Sequence, residues 1–445
     1  MTYEEKNKSL MKIEEHIGKI TWSFLDKMIF IMYGLITLLQ MRYLQADDLA
    51  MYAMLIAVNT WIYIVTDTFS LSIIIQFGMK EANRRKANTI ALIFHIAIVM
   101  GISLLIYLLH GPISSLFEIE RGEEMFSALP ILSLLMLPRT YALKFLYRDF
   151  RFNQVFWINF FFMGTMAAVT FYYISEGNLD FSKMMNLYYA GAILSSAYGV
   201  IIARKSFKFG FSGDLTLRQV FRFVIPATIQ SASNALIKTL DVYVIKFAFR
   251  METVAVYVAA KTLFRVFDEA GNASLGLIYP SAVKQINNNN KQALSDLITK
   301  AVSFMLMVFI AMIIILELGF AEFLVKLFLP ERFFDAIGMF QIMLLAALAI
   351  PFIILSSLIN ASGKPERVLY SALISMVIAL VIFSGIAFTG NEHLIPLMLV
   401  TYYLSFGLLC YLYVKKHFGF PVKMLFRAIP DSLYFIRKKI YKKSE

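Results

Sequence analysis

Apolar runs of twenty or more residues recur along nearly the whole chain, separated by short polar turns. Roughly 20 apolar residues suffice for a helix to span a bilayer. The pattern therefore predicts an all-α polytopic membrane protein with spans near 22–44, 49–77, 88–110, 125–147, 153–175 and 184–203. A second set follows near 221–247, 254–280, 299–318, 336–360, 368–389 and 394–414. The first run starts at Trp22 and is long, with no cleavage-site pattern, so it predicts a spanning helix rather than a signal peptide. Before it, Leu10, Ile13, Ile17 and Ile20 recur at helical spacing among Lys and Glu, which predicts a short surface helix in segment 1–21. The longest central gap, 204–220, is basic and aromatic. It divides the chain into a first lobe over 22–203 and a second over 221–414, followed by a basic tail over 415–445.

Charge fixes the orientation. With both termini cytoplasmic, the inner segments hold 30 of the 42 Lys and Arg, the outer segments 7 and the spans 5. That bias follows the positive-inside rule and accounts for the net charge of +12 without nucleic acid. The tail sets Arg437, Lys438, Lys439, Lys442 and Lys443 beside Leu433, Phe435, Ile436 and Ile440, a pattern suited to a surface helix on anionic membrane lipids or to docking of a cytoplasmic enzyme.

One span breaks the apolar rule. Lys261, Arg265, Asp268 and Glu269 sit in the middle of 254–280. On a helical wheel with Lys261 at 0°, Arg265 falls at about +40°, Asp268 at about −20°, Glu269 at about +80° and Asn272 at about +20°. The five share one stripe. Each charge at a helix centre costs roughly 2.5–3.5 kcal/mol, so the stripe must face protein or water rather than lipid. A structural ion-pair ladder would satisfy that requirement, but Lys261 and Arg265 are like charges one turn apart and repel. An anion visiting the stripe explains them better. Other intramembrane charges are Asp26 and Lys27 in the first span, Asp67 in the second, Arg139 after Pro138 in the fourth, and Lys238 with Asp241 in the seventh. Lys27 is close enough to the inner face to snorkel. Lys238 and Asp241 have the i, i+3 spacing of a neutralising pair. Asp67 has no basic residue within four positions, which marks it as a carboxylate for a cation or proton.

Several functions are excluded. One cysteine, Cys410, permits neither an internal disulfide nor a thiolate cluster, and five scattered histidines show no metal-ligand spacing. No GxxxxGK[ST] loop is present, so nucleotide hydrolysis by that route is absent. No outward loop is large enough for a catalytic domain. The chain is expected to be a transporter rather than an enzyme, without cofactor or metal, driven by an H⁺ or Na⁺ gradient, the membrane potential or the substrate's own gradient.

Particular stretches resemble the Wzx-type oligosaccharide flippases. These are RYLQADDLAMYAMLIAVNTWIYIVTDTFS between the first two spans, FLYRDFRFNQVFWINF at 145–160, and VIPATIQSASNALIKTLDVYVIKFAFRMETVAVYVAAKTLF at 224–264. Asp241, Tyr257, Ala260, Pro280 and the NASGKPER turn at 360–367 fit the same pattern, whereas Ala50 or Met51, and Phe69, stand where it usually has glycine. The resemblance implies the multidrug, oligosaccharidyl-lipid and polysaccharide exporter superfamily, with about twelve helices in two lobes around a central cavity in the bacterial inner membrane. It implies transfer of an undecaprenyl-diphosphate-linked oligosaccharide to the outer leaflet by alternating access, with other polysaccharide assembly proteins as partners. Lys261, Arg265, Lys238 and Arg139 would then bind the diphosphate, and Asp67, Asp241, Asp268, Glu269 and Asp26 would balance charge or couple to an ion. By position, Asp26, Lys27 and Arg265 correspond to charged residues of the related lipid II flippases. A cation-coupled drug exporter and a membrane polysaccharide polymerase or ligase are the alternative readings.

Overall fold

The computed structural model describes residues 21–419 apart from 23–24, 31, 178, 288–290 and 363, and several side chains of 230–293 are also outside the description. The expected surface helix before residue 21 and the basic tail from residue 420 onward lie outside the described residues. Described residues form helices and turns, with no strand among them. In chain order the longer helices are α1 (residues 25–30 and 32–43), α2 (Ala46–Gln76), α3 (Glu81–Leu108), α4 (Gly122–Arg148), α5 (Phe152–Ser175) and α6 (Phe181–Ala203). Then come α7 (Leu217–Thr239), α8 (Met251–Asn287), α9 (Lys291–Ile315), α10 (Ala336–Ala347), α11 (Pro365–Thr389) and α12 (Pro396–Phe418).

Among the described residues, eight helices are long and apolar enough to cross a membrane, or nine when a bent pair is taken as one span. The chain is thus a multi-span membrane protein. α1, described in two pieces, and α7 and α8 are not among them; the last two carry several charged residues, Arg218, Arg222 and Lys238 in α7 and the charged stripe in α8.

Local chemistry sets the breaks. Asp180 caps α6 by accepting the Lys183 backbone N–H at 2.8 Å. Left-handed Gly390 ends α11, as only a residue without Cβ does cheaply. The predicted span 221–247 is divided at Leu240, and Asp241 opens a separate helix, Asp241–Ala248, by accepting the Val242 N–H. The i, i+3 spacing of Lys238 and Asp241 therefore straddles a break rather than one helical turn. The predicted span 336–360 becomes α10 followed by Ile350–Ile353 and Leu355–Ala361, bent by 41° where Pro351 interrupts the backbone ladder. By contrast, α4 runs on through both Pro130 and Pro138.

A π-turn widens one long helix, and a kink at left-handed Gly319 breaks another. The π-turn lies at Asp67–Leu71 within α2, the kink within Leu316–Phe320, which joins α9 to Ala321–Phe328. In α2 the loosened carbonyls take side-chain donors: Thr68 bonds Ile64 O, Ser70 bonds Thr66 O and Ser72 bonds Thr68 O.

The chain forms two compact units, Met1–Phe247 and Ala248–Glu445. The boundary falls later than the 204–220 gap, so α7 packs with the first unit. Trp61 of α2 donates to Ala232 O, and Tyr243 donates to Met54 O. In that unit α4, α5 and α6 pack against each other, and a core of Leu71, Ile74, Ile90, Tyr141, Phe145 and Val224 joins α2, α3, α4 and α7. In the second unit α8 packs on α9 and α10, while α11 packs on α12.

The 204–220 gap is ordered as a strap. Asn88 donates to Ser206 O and Lys208 O, Thr89 accepts the Gly210 N–H, Lys86 donates to Gly213 O, and Asn83 accepts the Asp214 N–H. Phe207 stacks on Tyr141 at 5.9 Å, and Leu215 is buried. Gly213 is required here: its φ is 122°, and a Cβ would meet Ala82 O at 2.7 Å.

Candidate functional site

The first unit holds a buried charge relay. Arg139 of α4 donates from Nη2 to Asn159 Oδ1 at 2.5 Å, and Asn159 of α5 donates from Nδ2 to Asp26 Oδ1 of α1 at 2.6 Å. All three residues are buried, and the guanidinium lies over the Phe162 ring at 4.4 Å. An isolated charge at this depth would cost several kcal/mol, so the amide bridge and the opposite charge are what make the pair tolerable. Asn159, neutral and unremarkable in the sequence, was not legible as the link. Lys27, next to Asp26, is exposed and places its ammonium 5.5 Å from the Phe30 ring.

Asp67 opens the π-turn of α2 and meets Lys144 of α4, with Nζ 2.7 Å from Oδ1 and 2.8 Å from Oδ2. The absence of a local partner in sequence was correct, yet a basic residue 77 positions away supplies one. Lys144 lies near the end of the predicted fourth span and inside the observed helix, Gly122–Arg148. Near this pair, His95 of α3 is buried between the Ser70 hydroxyl at 3.4 Å and the Thr140 hydroxyl at 3.0 Å, and stacks on Tyr141. Asp241 is buried at the start of its short helix, and the Lys238 side chain lies outside the described residues.

The second unit carries the stripe on α8, where the predicted wheel holds because the helix runs unbroken over Met251–Asn287. Phe264, Phe267 and Gly271, on the flank next to Asp268, are buried, whereas Arg265 and Asn272 are exposed and Lys261, Asp268 and Glu269 are half-buried. Asp268 accepts a 2.5 Å hydrogen bond from the Tyr403 hydroxyl of α12. Glu269 stands 3.6 Å from Arg265 Nε, too far for a hydrogen bond. Lys261 places its ammonium 5.9 Å from the Tyr257 ring. The Arg265 side chain remains 45% exposed. This accessible cation in the charged stripe of α8 can bind an anion, whereas buried Arg139 already serves Asn159.

No group of three or more His, Cys, Asp or Glu that could hold a metal ion occurs among the described residues.

A family model described as "Polysaccharide biosynthesis protein" matches residues 40–338. The chain belongs to this polysaccharide biosynthesis family. No curated protein matches it by sequence. Among solved structures, this family member is similar to a multidrug resistance MATE family transporter of the MOP superfamily in an inward-facing conformation. The TM-score is 0.74 at 12% identity, covering 90% of this chain and 98% of that one. It is also similar to the lipid II flippase MurJ in an inward closed conformation, with TM-score 0.69, 15% identity, and 96% and 93% covered. A third similar structure is a MOP superfamily transporter from Pyrococcus furiosus, whose reversed binding-pocket polarity is described as suggesting a different function. There the TM-score is 0.56 at 12% identity, with 91% and 93% covered. At these identities the likeness is one of fold: the polysaccharide biosynthesis family member has the fold of the MATE and MurJ transporters.

Proposed function

We propose that this protein is a flippase of the bacterial inner membrane that carries an undecaprenyl-diphosphate-linked oligosaccharide from the inner to the outer leaflet by alternating access. The observation that carries the reading is the α8 stripe, where Arg265 stays accessible while Glu269 stands 3.6 Å from its Nε. A diphosphate is the anion that a lipid-linked sugar presents, and a guanidinium binds it through charge-assisted, bidentate contacts. Family membership and a fold shared with a protein named as a lipid II flippase support the same substrate class. Lys261 and Arg265 are the diphosphate ligands in this reading, and Arg139, committed to Asn159, is not among them. Asp268 and Glu269 balance the stripe, and Asp26, Asp67 and Asp241 are the candidates for coupling to H⁺ or Na⁺. A drug exporter that takes cations would favour acidic groups where α8 presents bases.

The test is leaflet transfer of a fluorescent undecaprenyl-diphosphate glycan in reconstituted vesicles, with and without a pH or sodium gradient. Transfer that is lost on neutralising Lys261 and Arg265 supports the assignment. Efflux of a cationic dye with no glycan transfer overturns it in favour of the exporter.

A further inference from the structure

Three connections of the first unit meet at one end of it: the turn between α2 and α3, the turn between α4 and α5, and the strap between α6 and α7. Arg84 donates to Gly78 O, Arg148 donates to Asn88 Oδ1, and Ser206 donates to Asp149 Oδ2, which ties the three together. Residues 77–86, 148–151 and 204–222 carry eleven basic and three acidic side chains. A solvated basic face would account for that charge alone. It does not account for the aromatic side chains presented with it: Phe211 is 72% exposed, Phe150 53% and Phe209 45%. The Arg85 stem runs beside Gly210, its Cβ and Cδ each 3.6 Å from where a Cβ on that glycine would stand, so a basic side chain passes the residue that separates Phe209 and Phe211 in the chain. Lys205 and Lys208 are exposed on the same strap. The strap cannot fold these rings away, because its backbone is bonded to α3 at Asn83, Lys86, Asn88 and Thr89.

We propose that this rigid strap is a membrane-interface anchor that seats Phe209 and Phe211 among acyl-chain ends while Arg85, Lys205 and Lys208 bind the phosphates of anionic phospholipids. Aromatic rings settle at the headgroup level, and each basic residue near an anionic leaflet adds attraction that salt screens. An acidic protein would match the charge but would leave the Phe211 ring, 72% exposed, against polar groups. A bilayer supplies both.

The chain's one cysteine, Cys410, is buried and can be replaced, which leaves a background for a single label. Bimane placed at Phe211→Cys in Cys410→Ala protein would be reconstituted with brominated phosphatidylglycerol or brominated phosphatidylcholine. We expect at least twofold stronger quenching by the anionic lipid, and at least a twofold loss of that difference in Lys205→Glu/Lys208→Glu protein. If the double reversal prevents insertion, Lys205→Gln/Lys208→Gln serves with a smaller expected loss. Quenching no stronger than at an aqueous control such as Asp214→Cys would overturn the anchor and leave a face for water or a soluble partner. Equal quenching by both lipids would overturn the anionic preference. Neither result bears on flipping, since the label reads depth and not transport.

Discussion

The Asp26–Asn159–Arg139 relay gives a quantitative test of how charge is held inside the first unit. Asn159→Leu keeps the side-chain volume close and removes both bridging hydrogen bonds. Each joins an amide to an ionised group, and such bonds contribute about 1.5–3 kcal/mol. Interhelical hydrogen bonds between membrane helices average only about 0.6 kcal/mol by double-mutant cycle, because the unfolded chain in lipid also finds partners. Two effects push this case higher: both outer groups are charged and buried, and leucine leaves each without its partner, a loss of about 3–5 kcal/mol where a buried pair is broken. We expect a cost of about 3 kcal/mol for Asn159→Leu, measured by steric trapping or detergent-driven unfolding in bicelles. Adding Asp26→Asn should recover part of it, with a coupling of at least about 1 kcal/mol. A cost below about 1 kcal/mol, or additive effects of the two substitutions, would show that the relay is an ordinary polar contact.

Three further outcomes follow from other parts of the molecule. Arg265→Ala should abolish glycan transfer with normal membrane insertion while Arg265→Lys keeps part of it, and full activity in Arg265→Ala would remove α8 from the site. Burial by itself would raise the Asp149 carboxyl, but the hydrogen bond and charge of Arg148, with Ser206 and Arg84, outweigh it and hold the group below its ordinary value. A carboxylate depressed by folding stabilises the folded state above its unfolded pKa of about 3.9, and that contribution disappears as pH falls through the lower folded value. Hydrogen-exchange protection of the Gly210 amide should therefore drop on acidification below about pH 4, and Asp149→Asn should show the lower protection already at neutral pH. Gly213→Ala should loosen the same strap by about 1–3 kcal/mol, since it forces a residue with Cβ into a left-handed conformation against Ala82 O. Unchanged protection of the Asp214 amide in that variant would contradict the close approach.

Much of the architecture is legible because bilayer-length apolar runs have few other uses. Hydropathy places α3 at 88–110, whereas the helix is Glu81–Leu108: Arg84, Arg85 and Lys86 are helical but charged, so hydropathy assigns them to a loop. The α8 stripe is legible as well, because it depends only on helical angle within one unbroken element. Partnerships between elements are not. Asp67 with Lys144, Asp26 with Asn159 and Asp268 with Tyr403 are separated by 77, 133 and 135 positions, and no local spacing rule reaches that far. The π-turn at Asp67 leaves no sequence mark beyond its hydroxyl-rich TDTFSLS run. The strap was legible only as a basic, aromatic gap, since its order comes from α3 side chains bonding its backbone and from Tyr141 of α4 stacking on Phe207.

Anyone choosing where to splice an epitope, a split-reporter fragment or a protease site into this chain would turn first to the long central connection between α6 and α7. Its backbone bonding argues against that choice, because insertion tolerance depends on how much backbone is committed. An insert at 206–214 would unpick polar contacts to four consecutive-turn residues of α3 and withdraw the Phe207 ring from Tyr141. The exposed turn at Gly390–Asn391, between α11 and α12, offers a shorter but safer graft point, where the exposed left-handed glycine already reverses the chain.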